Sequence, residues 1–197
     1  MSTTNPIESF FDKLAANWDI NANDNLKVVG EYLKRAGIAK GQKVLDLACG
    51  TGVITGLLHS LTEEDVLGLD LSGEMIAHAK TKYAGMPGIE FMQGDFLNFE
   101  GGRYDAIVLY NAYPHFLDPV ALSACFARHL SEDGIFIILH SFGRERLKRH
   151  HDGLGPTISR DLEAPEEEAK SFAKEFDICL AEEDENHYLL CGKLKSK

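Results

Sequence analysis

The chain has 197 residues, a length suited to one domain with a sizeable core, and its 44% apolar and 26% charged residues make a globular composition. A formal net charge of -11 argues against a general nucleic-acid binder and against docking on an anionic membrane, because both need clustered Lys and Arg. No apolar run approaches a membrane span, Met1 to Pro6 carry no leader pattern, and Cys49, Cys125, Cys179 and Cys191 are too scattered for a disulfide framework, so a cytoplasmic protein with reduced thiols is expected.

Residues 6 to 36 carry helical periodicity, through Phe10, Phe11, Leu14 and Trp18 and then through Leu26, Val29, Leu33 and Ala36. The polar run Asn21 to Asn25 interrupts them and can cap the second helix, which Gly37 ends. Trp18 reads either as core packing or as a lid. Lys43 to Leu47 is the first strand, followed by a glycine turn and a helix over Gly52 to Leu61. Val66 to Asp70 is a second strand, apolar along its length as a strand buried on both faces should be. Ser72 caps the next helix, with Met75, Ile76 and Ala79 inward. Ile89 to Met92, Tyr104 to Leu109 and Gly134 to His140 are further strands, and Pro119 to Leu130 is a helix. Phe142 to Glu163 is long, polar and partly basic, the mark of an inserted helix or a lid. Pro165 to Lys174 reads as a helix with an acidic first turn, and Phe176 to Ala181 with Tyr188 to Leu194 as a closing hairpin.

This alternation predicts a doubly wound α/β sheet, mostly parallel, with a C-terminal antiparallel hairpin. Ligands in such sheets bind beyond the carboxyl ends of the strands, so Asp46, Asp70, Asp95, Asn111 and His140 fall on one rim. Each acid has a use if the ligand is an adenosine carrying an amino acid. Asp70 can accept from two ribose hydroxyls, Asp95 from an adenine amine, and the Phe96 N–H can reach the ring. Asp46, beside the turn Gly50-Thr51-Gly52, favours a cationic amino group and repels a pyrophosphate. Thr55 stands where a dinucleotide fingerprint has its third glycine, and no Gly-Lys-Ser or Gly-Lys-Thr follows the turn. Asp70 and Asp95 can also be read as caps of the segments that follow them.

Leu45-Asp46-Leu47-Ala48-Cys49-Gly50-Thr51-Gly52, Leu69-Asp70-Leu71-Ser72 and Gly94-Asp95-Phe96 resemble the first three motifs of the class I S-adenosylmethionine-dependent methyltransferases. The opening Phe10 to Asp19 resembles the small members similar to those of ubiquinone and menaquinone biosynthesis. The resemblance implies a Rossmann-like, seven-stranded sheet and S-adenosyl-L-methionine as cofactor. It implies that Asp46, Ala48 and Gly50 hold the methionine part, Asp70 and Leu71 the ribose and adenine with Met75 packing nearby, and Asp95 and Phe96 the adenine. Asn111 is expected near the sulfonium, and Trp18 over the cofactor. The expected organisation is one domain: an N-terminal helical lid (1–40), a cofactor-binding core (41–141), a substrate lid or insertion (142–163), and a helix with the hairpin (164–197).

The reaction expected is methyl transfer to a small molecule, with no nucleic-acid or membrane partner, by a monomer or homodimer. In-line displacement asks mainly for positioning and, for some acceptors, a base. Tyr113, His115 and His140 follow the fourth and fifth strands and are the candidates for that role. His140 and His151 are alternatively candidate ligands of a metal ion. Arg144, Arg146 and Arg149 read either as a solvated helix face or as receivers of an anionic acceptor. Two other readings of the chain are a non-catalytic module that senses the cofactor or a metal, and an NAD(P) oxidoreductase.

Overall fold

The computed structural model describes residues 5–21, 25–150 and 153–196. Helix α1 (Pro6–Leu14) begins with Asn5 accepting from the Ile7 N–H and with Pro6 in its first turn, where a missing N–H costs nothing. A 3₁₀ segment (Ala15–Asn21) follows. Helix α2 (Leu26–Ala36) is capped by Asn25 and ends at Gly37, whose φ of 115° only glycine adopts freely.

Seven strands form one sheet: β1 (Val44–Leu47), β2 (Val66–Asp70), β3 (Ile89–Gln93), β4 (Tyr104–Tyr110), β5 (Leu130–His140), β6 (Phe176–Glu183) and β7 (Tyr188–Leu194). Their order is β3-β2-β1-β4-β5-β7-β6. The first five pair in parallel, and β7 runs antiparallel between β5 and β6. The connecting helices are α3 (Thr55–Thr62), α4 (Gly73–Lys82) and α5 (Pro119–His129), with α6 (Arg144–His150) and α7 (Pro165–Glu168) after the fifth strand. The seven-stranded, Rossmann-like sheet with a terminal hairpin is the architecture expected. No helix among the described residues is long and apolar enough to cross a membrane.

The central strands are apolar at nearly every position because both faces are covered. Leu45, Leu47, Ile107, Leu109, Phe136 and Ile138 face one core cluster. Their neighbours Val44, Ala106, Val108, Ile137 and Leu139 face the other, with Val29 and Leu33 of α2 and Leu58 of α3. This is the two-sided burial that a parallel sheet imposes. The order reverses between β1 and β4, which opens a crevice at their carboxyl ends.

Three boundaries differ from expectation. Residues 50 to 54 form a turn, so the helix after β1 starts at Thr55 rather than Gly52. Strand β5 begins early, at Leu130, and its pairing with β4 jumps from Tyr104–Leu130 to Ala106–Ile135 past Asp133, which has φ 64°. The expected helix over 165–174 is a single turn continued by a 3₁₀ segment (Ala169–Ser171). There the chain bends to bury Phe172 against Phe136, at 4.7 Å between ring centroids.

A polar clamp explains that bend. Glu168, 5% exposed, accepts from Arg160 at 2.6 and 3.0 Å, from the Tyr113 hydroxyl at 2.6 Å and from the Glu163 N–H at 3.0 Å. The Arg160 guanidinium lies 4.6 Å over the Tyr113 ring, and its Nε donates to the Phe116 carbonyl. Burial raises the Glu168 pKa, but the bonds from Arg160, Tyr113 and Glu163 outweigh it and hold the carboxyl below the ordinary range.

The clamp ties the loop after β4 to the segment leading into α7. Glu168→Ala leaves Arg160 and Tyr113 without their acceptor and is expected to lower unfolding stability by about 3 kcal/mol in urea. Because the folded pKa is depressed, the difference between wild type and Glu168→Gln is full above the ordinary carboxylate range and shrinks as pH falls through it. A loss below about 1 kcal/mol at neutral pH, the level of an exposed pair, would show that the clamp contributes little.

Candidate active site

A cavity of about 930 Å³ opens at the carboxyl ends of β1 to β5. Its base is the turn after β1. Ala48, Gly50 and Gly52 all have positive φ, at 53°, 54° and 78°. A left-handed alanine is strained by about 1 kcal/mol, and such strain collects at ligand sites. Gly52 is required twice over, since a Cβ there would stand 2.8 Å from Tyr83 and 3.1 Å from Phe91. Tyr83 braces the turn by donating to the Gly52 carbonyl at 2.7 Å and accepting from the Gly56 N–H at 3.2 Å.

The three acids line this cavity. Asp46, 1% exposed, accepts from the Thr55 hydroxyl at 2.5 Å. Its other oxygen has no protein partner among the described residues. Burial pushes its pKa up to about 7, with the charge of Asp70 adding and the Thr55 bond opposing. A buried acid poised this way is what a cationic ligand group would ionise. Asp70 accepts from the Gly50 N–H and the Ser72 N–H, each at 2.8 Å. Burial raises its pKa too, against those bonds. Asp95 accepts from the Leu97 N–H at 3.0 Å and the Asn98 amide at 2.7 Å. The capping use of Asp70 and Asp95 is therefore present, and a carboxylate with four lone pairs keeps capacity for a ligand beside it.

Leu71, Met75, Phe96 and Asn111 also line the cavity, with Ala48, Gly50 and Trp18. The Met75 sulfur and the Trp18 indole nitrogen stand 3.9 and 3.7 Å from the position a Cβ on Gly50 would take. Trp18 is 37% exposed and lines the cavity, so it is not a core residue. Two acids tie the N-terminal segment to the turn and to α4. Asp12 accepts from the Ser72 hydroxyl at 2.6 Å, and Asp19 accepts from the Thr51 hydroxyl at 2.5 Å and from Lys82 at 3.0 Å. Sequence reasoning missed these two, and also missed Tyr83. Their only signal was polarity inside an otherwise apolar helical pattern.

Across the rim, Asn111 has φ 53° and bonds the Ser141 N–H and hydroxyl at 2.9 and 3.1 Å, joining the ends of β4 and β5. His115 lines the cavity, packs edge-on to Phe11 and places Nδ1 2.8 Å from the Ile158 carbonyl. That bond needs the proton on Nδ1, which leaves Nε2 as the basic nitrogen. Burial holds the His115 pKa below its ordinary value, with the Ile158 bond opposing, so the ring is neutral at pH 7. His140 is fully buried at the cavity wall, edge-on to Tyr188.

Two expectations need correction. Tyr113 does not line the cavity; it is fully buried, bonded to Glu168, and its pKa is driven far up by burial and by that carboxylate, so it braces the rim and does not serve as a base. The metal reading is not supported either. His151 lies outside the described residues, and among the described ones no group of three or more His, Cys, Asp or Glu side chains is placed to hold an ion.

Residues 44–134 match the model of a methyltransferase domain family. The demethylmenaquinone methyltransferase of Lactococcus lactis subsp. lactis is 38% identical over 111 residues, which are 53% of this chain and 43% of that protein. The chain spans about half the length of the curated relatives it matches. Among solved structures, a chain of the complex that pairs the Haloferax volcanii Trm112 methyltransferase activator with a methyltransferase superposes with a TM-score of 0.79 at 19% identity, covering 97% of this chain and 98% of that one. The complex of DhpI with SAH does so with a TM-score of 0.75 at 21% identity, covering 97% and 96%. The motifs, the sheet order and these likenesses agree, and together they support a class I S-adenosylmethionine-dependent methyltransferase.

Proposed function

We propose that this protein transfers a methyl group from S-adenosyl-L-methionine to a small-molecule acceptor. The observation that carries this reading is the convergence of Asp46, Asp70 and Asp95 with the positive-φ turn on one cavity. Asp46 pairs with the amino group of the cofactor, Asp70 with the ribose hydroxyls, and Asp95 and Phe96 with the adenine. Leu71 and Met75 pack against the adenosine, Ala48 and Gly50 against the methionine part, and Trp18 covers them. Bound there, the cofactor supplies an electrophilic methyl group on a sulfonium.

The chain's own residues then have three tasks. Asn111 and Ser141 hold the ends of β4 and β5 so that the acceptor approaches in line. Phe11, Trp18 and the rest of the lid exclude water. His115, neutral and oriented by Ile158, takes the acceptor's proton at Nε2 where the acceptor carries one. His140, buried and packed on Tyr188, positions the strand end beside it. A small acceptor is favoured by a cavity of about 930 Å³, at the upper end of small-molecule sites of about 300–1,000 Å³. The NAD(P) alternative is weakened at Thr55, whose hydroxyl is committed to Asp46 in place of the third glycine.

Calorimetry with S-adenosylhomocysteine tests the cofactor assignment. Its ammonium favours the ionised Asp46, so binding below pH 7 releases a proton, and affinity should fall by up to about tenfold per pH unit as pH drops below about 7. Asp46→Asn should weaken binding and flatten that dependence. The raised pKa also means that the cost of a charged buried Asp46 is absent below the ordinary carboxylate range and full above about 7. Asp46→Asn should therefore raise the melting temperature of the cofactor-free protein at pH 8. A pH-independent affinity in the wild type would reject the pairing.

Turnover on a panel of small acceptors with methyl-labelled cofactor separates an enzyme from a non-catalytic sensor. On an accepted substrate with an ionisable proton, His115→Ala should lower kcat by about 10²–10⁴-fold with cofactor affinity preserved. Parallel losses in both would assign His115 to binding alone.

A further inference from the structure

Five strand ends share one cavity, but its charge is not evenly spread. The acids on its wall are already engaged. Asp70 and Asp46 serve the glycine turn, Asp95 and Asp118 cap the segments that follow them, and Glu8 accepts from Gln93 at 3.2 Å. The only Lys or Arg among the described lining residues is Arg146, on α6 after β5.

Its neighbours in the same basic segment have other occupations. Arg144 is paired with Glu183 at 2.6 Å, and Lys148 with Asp161 at 3.1 Å. Neither Arg144 nor Arg149 lines the main cavity. Arg146 has no carboxylate within ion-pair distance among the described residues. Its guanidinium rests 4.7 Å from the centre of the Phe142 ring, which itself lines the cavity. A cation stacked on an aromatic face is held in place while its N–H donors stay available in the ring plane's neighbourhood. The cavity it lines has apolar wall from Val28, Val29, Tyr32, Tyr110, Phe142 and Leu147, and on its other side Arg146 borders a shallow polar pocket with Arg149, Glu183 and Asp184. Asp46 lies in β1, Asp70 ends β2 and Asp95 follows β3, whereas Tyr110 ends β4 and Phe142, Arg146 and Leu147 follow β5.

We propose that Arg146 selects the methyl acceptor: the acceptor has an apolar, aromatic-sized body and an anionic group, carboxylate or sulfonate in kind, which Arg146 receives through paired N–H donors. This rests on the methyltransferase reading, because it assumes that the acidic side of the cavity is taken by the cofactor. It also divides the basic run of the sequence. Arg144 is structural, Arg149 lies outside the cavity, and Arg146 determines specificity.

The test uses two fluorescent probes with the same apolar frame, 1-anilinonaphthalene-8-sulfonate and uncharged N-phenyl-1-naphthylamine, titrated into the full chain saturated with S-adenosylhomocysteine. Arg146→Ala should weaken the sulfonate by about tenfold or more and leave the uncharged probe nearly unchanged, since a charge-assisted pair is lost and the apolar wall is not. Arg146→Lys should recover part of the loss. Arg149→Ala removes the same charge outside the cavity and should leave both probes unchanged. The proposal is overturned if Arg149→Ala weakens the sulfonate as much as Arg146→Ala does, if Arg146→Ala weakens both probes equally, or if it weakens neither. Absence of S-adenosylhomocysteine binding to the wild type would instead sink the methyltransferase reading, and the probe titrations on the unsaturated chain would still report on Arg146.

Discussion

The bond from the Gly50 N–H to the Asp70 carboxylate, 2.8 Å long, is the constraint on which the site depends. It joins the turn after β1 to the end of β2, two points 20 residues apart in the chain. The same carboxylate accepts from the Ser72 N–H, and the Ser72 hydroxyl caps α4 and donates to Asp12 of α1. One side chain thus fixes the turn, starts a helix through its neighbour and anchors the N-terminal helix. Burial makes its charge costly, and the two oriented N–H donors on it offset that cost only in part. A ligand with hydroxyl groups to donate would complete the compensation. The site holds its acid in a state that ligand binding improves.

Much of this was legible in the sequence, because the strands bury both faces and so read as unbroken apolar runs. Val44 to Leu47 and Tyr104 to Tyr110 show this directly. The acids of the rim were legible for a related reason: a carboxylate at the end of an apolar strand has no use in the core. What escaped was anything set by contacts between distant segments. Asp12 and Asp19 sit in a helical pattern that says nothing of Ser72 and Thr51. Tyr113 follows the fourth strand as a base should, yet Glu168, 55 residues on, takes its hydroxyl into the core. The same pull cut short the helix expected over 165–174, since local propensity yields when a buried charge must be satisfied. The basic run after β5 could not be divided from sequence, because only the placement of Glu183 and Asp161 separates Arg144 and Lys148 from Arg146.

The two sides of the cavity are held by different physics. The side near β1 to β3 is braced by short polar bonds to backbone, through Asp70, Asp95 and Tyr83. The side near β4 and β5 is braced by Asn111 with Ser141 and, behind them, by the clamp of Glu168. Helix α2 leans on the hairpin beyond, where the Tyr32 ring stacks on His187 at 4.4 Å and Arg35 pairs with Glu182.

The position of β7 has a consequence for how the molecule is made. It is the last strand in the chain, yet it lies inside the sheet, with Leu189, Leu190 and Cys191 shut from solvent between β5 and β6. During synthesis β5 therefore waits with a bare edge until the final strand emerges, and β6 has no partner at all before then. Pairing so distant in sequence is slow, and unpaired edges invite association. A nascent chain halted before Tyr188 leaves the edge of β5 from Ile135 to His140 without the strand that covers it in the folded sheet.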